Sequence, residues 1–140
     1  MNILRKIISP TSVALPRKTK KDKIIHLNLN IYRNLHPMVE HQCKDKYAEI
    51  LLPEINKLPQ FNRIYLIKYL WFPQSSRASD TANVCCIVDK YFCDALVRAN
   101  KLPDDNHTYL QKVMYEYGSI DRTNPRIEIY IYGDINENSN

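Results

Sequence analysis

Residues 62–72, NRIYLIKYLWF, are aromatic, β-branched and almost continuously apolar. That pattern predicts a central strand covered on both faces. Pro73 and the polar run Gln74–Ser79 then form a loop. Residues 83–101 read as a helix: at 100° per residue, Val84, Val88, Tyr91, Ala95 and Ala99 fall within about 80° of one another. Upstream, residues 38–58 read as another helix, with Val39, Cys43, Tyr47, Ile50 and Leu51 along one side and Pro53 set to kink or end it. Earlier still, Ile25, Leu27, Leu29 and Ile31 alternate with His26, Asn28 and Asn30, the mark of a half-buried strand. Downstream, strands at 110–117 and 126–132 are joined by GSIDRTNP as a terminal hairpin. In the second of these, Ile127, Ile129 and Ile131 face inward, while Arg126, Glu128, Tyr130 and Tyr132 face out. The expected order is β-α-β-α-β-β, an α+β fold with a mixed or antiparallel sheet and two main helices.

The composition is that of one ordinary globular domain: 140 residues, 16.5 kDa, 44% apolar and 25% charged. The longest apolar stretch, Ile64 to Phe72, is broken by Lys68, far short of the roughly 20 residues a membrane helix needs. No membrane role is expected. With only two glycines, Gly118 and Gly133, the chain has no glycine-rich phosphate loop. Cys43, Cys85, Cys86 and Cys93 form no C-x-x-C pair, which favours free thiols in a reducing cytosol over a disulfide or zinc framework. His26, His36, His41 and His107 have no neighbouring serine or cysteine that would make a nucleophilic triad.

Charge is unevenly spread. Residues 1–23 hold seven bases (Arg5, Lys6, Arg17, Lys18, Lys20, Lys21, Lys23) against Asp22, although the whole chain nets only +5. The expected organisation is a basic flexible arm over 1–23, a folded domain over 24–132 and a polar tail over 133–140. A basic arm contacts polyanions, most often nucleic acid. A merely solvated tail has the same composition. A transit peptide does too, although Pro10 and Pro16 oppose a continuous amphipathic helix there.

Carboxylates gather in residues 79–106, SDTANVCCIVDKYFCDALVRANKLPDDN, which contain Asp80, Asp89, Asp94, Asp104 and Asp105. Asp80 suits a helix N-cap, and Asp104–Asp105 after Pro103 suits a turn. On the helix, Asn83, Lys90 and Asp94 share a polar stripe and Asp89 falls away from it. If the loop after the helix folds back, acids from two segments converge around a lysine. Such a cluster binds a hard cation such as Mg²⁺, which takes a few carboxylates plus water and phosphate and assists phosphodiester hydrolysis.

The series Asp80-x-x-Asn83, Lys90, Asp94-Ala95-Leu96 and Asp104-Asp105 resembles the RusA-type Holliday junction resolvases of phages and prophages. LNLNIYRNLHP (27–37) is similar to that family's first strand and its Asn/Arg-rich turn, and NPRIEIYI (124–131) is similar to its closing strand. The resemblance covers 24–132. It implies a homodimer, in a bacterial or phage-infected cytoplasm, that resolves four-way DNA junctions by paired Mg²⁺-dependent cuts. Asp80, Lys90 and Asp105 correspond to catalytic positions. Asp80 and Asp105, assisted by Asp94 or Asp104, would hold the metal. Arg17, Lys18, Lys20, Lys21, Lys23 and Arg33 would contact DNA phosphates.

The chain departs from the family at Ala82, where the family's D-x-D-N has its second acid, and in a helix about one turn longer before Asp94. Ala82 favours a second reading, a non-catalytic RusA-like protein that covers junctions or inhibits a host DNA-processing protein. A third is an adaptor that uses Tyr130 and Tyr132 on an edge strand as a protein interface.

Overall fold

A computed structural model of the chain describes residues 1–77 and 80–136. Nine elements follow in order: β1 Asn2–Ser9, β2 Ser12–Leu15, β3 Lys23–His26, α1 Leu29–Arg33, α2 Pro37–Ile55, β4 Phe61–Phe72, α3 Thr81–Arg98, β5 Val113–Tyr117 and β6 Arg126–Ile135. Among the described residues the chain is α+β, with three helices, a mixed sheet ordered β1-β6-β4-β5 and a small β2-β3 sheet. No helix is long and apolar enough to cross a membrane.

The N-terminal residues are not a flexible arm. β1 pairs antiparallel with β6 along its whole length, from Asn2↔Asp134 to Ser9↔Ile127. Ile7 and Ser9 are buried, and the Ser9 hydroxyl lies 2.7 Å from that of Tyr47 on α2. β2 and β3 then form a hairpin whose buried pair, Val13↔Ile25, sits beside Leu15 and Leu27. The period-two apolar pattern is present in this segment (Ile7, Val13, Leu15) but is diluted by lysines and arginines, which the strands and their turn leave exposed. At the other end, the supposed tail begins as strand: Gly133 and Ile135 are buried in β6, and residues 137–140 lie outside the described residues.

The strand expected to reach residue 31 stops at His26. Asn28 takes over as a helix cap, its side chain accepting from the Ile31 backbone N–H at 2.9 Å, and α1 begins. Helix α2 starts on Pro37 and buries Cys43, Tyr47, Leu51 and Ile55, one residue per turn, with Pro53 in its last turn. Helix α3 buries the expected Val84, Val88, Tyr91 and Ala95. Cys85, Phe92, Cys93 and Leu96 are buried as well, because the helix is packed by the sheet on one side and α2 on another.

β4 lies between β6, antiparallel, and β5, parallel, so α3 is the crossover of a β-α-β unit. It is covered on one face rather than two: Ile64, Ile67, Tyr69 and Trp71 are buried, while Leu66, Lys68 and Leu70 between them are half-buried. The expected terminal hairpin does not form. β6, whose Ile127, Ile129 and Ile131 are fully buried, takes the position between β1 and β4, and β5 is left at the far edge. A strand this apolar is satisfied by two neighbours, and Tyr130 and Tyr132 accordingly sit on a central strand, not an edge.

Gly133 faces the irregular part of β4, where the register with β6 shifts between Phe61 and Arg63. A Cβ there would lie 2.7 Å from the Arg63 carbonyl oxygen and 2.8 Å from the Phe61 ring. Gly133→Ala is therefore expected to lower unfolding free energy by about 1–3 kcal/mol, the usual cost of overpacking. A urea denaturation midpoint equal to wild type would show that β4 yields at no cost.

Candidate functional site

The middle of α3 carries the polar groups of interest on two faces. Ala82, Cys86, Asp89 and Cys93, at spacings of four, seven and eleven, share one. Asn83, Lys90 and Asp94 share the neighbouring one, and the structure divides that second set. The Lys90 ammonium lies 5.8 Å from the centre of the Tyr32 ring on α1. Asp94 instead turns to α2. Its Oδ2 is 2.7 Å from Arg98 Nε and its Oδ1 4.0 Å from Lys44 Nζ. The Arg98 contact is an ion pair that neutralises Oδ2. Arg98 also donates to Asp45 at 2.8 Å and holds that carboxyl below its ordinary range. Asp94 thus belongs to the α2–α3 contact.

Asp89, which the helical projection sets apart, bridges α3 to the sheet. Its Oδ1 accepts from the Tyr69 hydroxyl of β4 at 2.7 Å and from the Cys93 thiol at 3.3 Å. Its Oδ2 accepts from the Tyr115 hydroxyl of β5 at 2.8 Å. Burial first, and then the Asp89 charge among others, pushes Tyr69, Tyr115 and Cys93 upward in pKa, so all three remain protonated donors.

The segment after α3 does fold back. Its backbone runs beside β4, with Phe61 N–H donating to Lys101 O, Ile64 N–H to Tyr109 O and Ile67 N–H to Lys112 O. In its turn Asp104 accepts from the Asp105 backbone N–H at 2.8 Å and from Asn106 Nδ2 at 2.9 Å, and Asn106 in turn accepts from the Thr108 N–H as an Asx-turn. Asp105 lies in an open cavity of about 330 Å³ that is also lined by Asp89, Lys90, Cys93, His107 and Lys112. Its carboxyl is pushed upward by partial burial, then by Asp104, and also by the charge of Asp89.

Asp80 is exposed at the α3 N-cap and its side chain caps no N–H. It precedes Asp89 by nine residues, about 13.5 Å along the axis, so the two cannot share one ion with oxygen ligands at about 2.1 Å. The expected metal set of Asp80, Asp94, Asp104 and Asp105 does not meet at one point. Among the described residues no group of three or more His, Cys, Asp or Glu side chains is placed to hold a metal. Asp89 and Asp105 do line one cavity, and a Mg²⁺ ion held by one or two carboxylates, water and phosphate needs no more.

Arg17, Lys18, Lys20 and Lys21 form the exposed turn between β2 and β3, and Lys23 opens β3. Arg17 Nε donates to the Lys21 carbonyl at 2.7 Å, which fixes the tip. α2 packs on both the hairpin and α3. Arg33 sits at the exposed end of α1, on the α3 side, where its charge acts on Cys86.

Sequence reasoning finds Lys90 and Asp105. It misses Asp89, Tyr69, Tyr115, His107 and Lys112, because their meeting depends on the β4–β5 register. A usable signal for Asp89 is its spacing: seven residues after Ala82 is two turns further along the same face. The chain matches no model of a known protein family, and no curated protein matches it in sequence.

Substitutions at the two carboxylates should shift stability in opposite directions. Asp89→Ala leaves the buried Tyr69 hydroxyl only the weak Cys93 sulfur as acceptor and Tyr115 only water, and is expected to cost about 1–3 kcal/mol. Asp105 titrates higher folded than unfolded, so it favours folding at low pH and opposes it as pH rises through its titration. Asp105→Asn should accordingly stabilise the protein at pH 7, by about 0.5 kcal/mol or less at an exposed site. That gain should vanish near pH 3. Urea unfolding at the two pH values checks both signs.

Proposed function

We propose that the chain is a RusA-like, structure-selective endodeoxyribonuclease that resolves four-way DNA junctions by paired phosphodiester hydrolysis. The observation that carries this reading is the convergence of Asp89, Asp105 and Lys90 on one open cavity. Asp105 and Asp89 would hold Mg²⁺, which supplies an activated water and charge neutralisation at the phosphate. Asp105 suits that role because its neighbours leave its charge poorly compensated, and a cation relieves the repulsion. The two tyrosine hydroxyls orient Asp89, which retains lone pairs beyond those it shares with them. Lys90, steadied by the Tyr32 ring, offers a point charge to the scissile phosphate. Lys112 adds positive charge to the cavity lining, and Arg33 does so near Cys86 on α3. The hairpin tip adds sequence-independent phosphate contacts, so junction affinity should fall steeply with salt. Two symmetric cuts require two such sites related by a two-fold axis, hence a homodimer. This reading goes with a bacterial or phage-infected cytoplasm, the setting of the family that the chain resembles.

A second reading has its own support. Ala82 stands where the resemblance has an acid, while Asp104 and Asp94 are committed to a turn and to α2. These features suit a non-catalytic relative that covers junctions or inhibits a host DNA-processing protein.

Cleavage of a synthetic four-way junction with Mg²⁺ or with EDTA separates the two readings. Symmetric, metal-dependent nicks are expected. Asp105→Asn should slow them by two or more orders of magnitude, the usual effect of removing a group that stabilises developing charge, while binding persists. Tight binding with no cleavage, unchanged by Asp105→Asn, would establish the second reading.

A further inference from the structure

The sheet has a face that no described element covers. α2 and α3 lie against one side, where Ile127, Ile129 and Ile131 have no exposure at all. On the other side Leu4 is 60% exposed, Ile8 44%, Tyr132 40% and Met114 38%. From the strand register we infer that this face is the contact between two copies of the chain, packed sheet on sheet. The inference names the surface for the pairing proposed above. It stands on the sheet alone and holds whether or not the chain cuts DNA.

Its residues fall into cross-strand rows. One row is Leu4–Tyr132–Leu66. The next is Lys6–Tyr130–Lys68–Met114, and the one after is Ile8–Glu128–Leu70–Glu116. Phe72 and Arg126 close the series, with the guanidinium 4.1 Å from the ring centre. A basic row thus runs beside an acidic one. A two-fold axis lying in the interface between them, along the row direction, sets each copy's basic row over the other's acidic row. Lys68 of one copy then lands over Leu70 of the other, between Glu128 and Glu116. Tyr130 lands over Glu128, and the apolar Leu4–Tyr132–Leu66 row covers Phe72 and Arg126. An isologous contact requires this kind of self-complementarity.

Charge also argues against the alternatives. Lys6, Lys68 and Arg126 stand against Glu128 and Glu116, so these groups leave a single net positive charge, far from the strong positive excess that nucleic acid or an anionic membrane would need. Its ions are already paired, Lys6 with Glu128 at 3.4 Å, Lys68 with Glu116 at 2.7 Å and Arg126 with Glu128 at 2.8 Å. They therefore enter an interface with partners rather than as bare charges. The size is near what is needed: three strands eight residues long and the five-residue β5, about 4.8 Å apart, give a footprint of roughly 470 Å² per copy before side chains are counted. Both copies together reach about 1,000 Å², the threshold of a specific interface.

Sedimentation equilibrium of the full chain, with no DNA or metal, tests this. A dimer is expected at tens of micromolar. Leu4→Lys/Ile8→Lys changes only exposed side chains of the edge strand and should weaken association at least tenfold. Met114→Lys, on the opposite edge of the same face, should weaken it as well, which keeps the test open if the double variant fails to fold. Met38→Lys, 65% exposed on α2 away from this face, should leave association unchanged. A wild-type chain that stays at 16.5 kDa up to about 100 µM would overturn the inference. A dimer whose dissociation constant is the same in both face variants would overturn it equally. A dimer formed through another face would leave the proposed function standing, a monomer would also count against paired cutting, and loss of Mg²⁺-dependent cleavage alone would count against the cavity and not against this contact.

Discussion

The Asp89 carboxylate, held between the hydroxyls of Tyr69 and Tyr115, ties the middle of α3 to two strands at once. Most of what holds this helix down is non-directional: Val84, Val88, Phe92 and Leu96 are buried against the sheet and α2. Apolar burial sets how much the contact is worth, but it tolerates sliding and rotation. The tyrosine pair does not. It fixes the rotation of α3 about its axis and its height above β4 and β5, and with them the positions of Lys90 and of the segment that returns along β4. Breaking it would blur the cavity before it unfolded the protein.

The parts of the fold that could be read from the sequence are those whose pattern is decided locally. β4, α2 and α3 carry long apolar periods at 2.0 or 3.6 residues, and each forms within a few residues of its expected span. What escaped reading depended on partners distant in the chain. Ile7, Ser9, Val13 and Leu15 are too few to dominate a segment rich in lysine, yet β6 and α2 give them a buried side. Asn28 breaks an apparently alternating run because its side chain serves the Ile31 N–H better than a ladder would. β5 and β6 are neighbours in sequence but not in space, since β6, whose inward isoleucines are fully buried, gains more from β1 and β4 than from a hairpin. The site divides in the same way. Lys90 and Asp105 stand out as residue types at suggestive spacings, whereas Asp89 becomes significant only once β5 is known to lie beside β4.

The ionisable groups sort the carboxylates by role. Burial works against the charge on Glu128, but hydrogen bonds from Tyr130, Arg126 and Lys6 outweigh it and hold its carboxyl below the ordinary range. Asp121 is lowered by the Asn124 backbone N–H and by Arg126, and Asp134 by the chain's own amino terminus and Asn62. Such groups contribute stability that is present above their unfolded titrations and is lost as pH falls through the folded ones. Asp105 runs the other way, because the fold sets it against Asp104 and Asp89 and partly withdraws it from water. Where a protein pairs or hydrogen-bonds its other shifted acids, a carboxyl left in an uncompensated position beside a second carboxylate and an exposed lysine is destabilising as a structural feature. It would become favourable with a cation in the cavity, which is the physical reason the proposed function sets its chemistry at Asp105 rather than at the solvated N-terminus of the same helix.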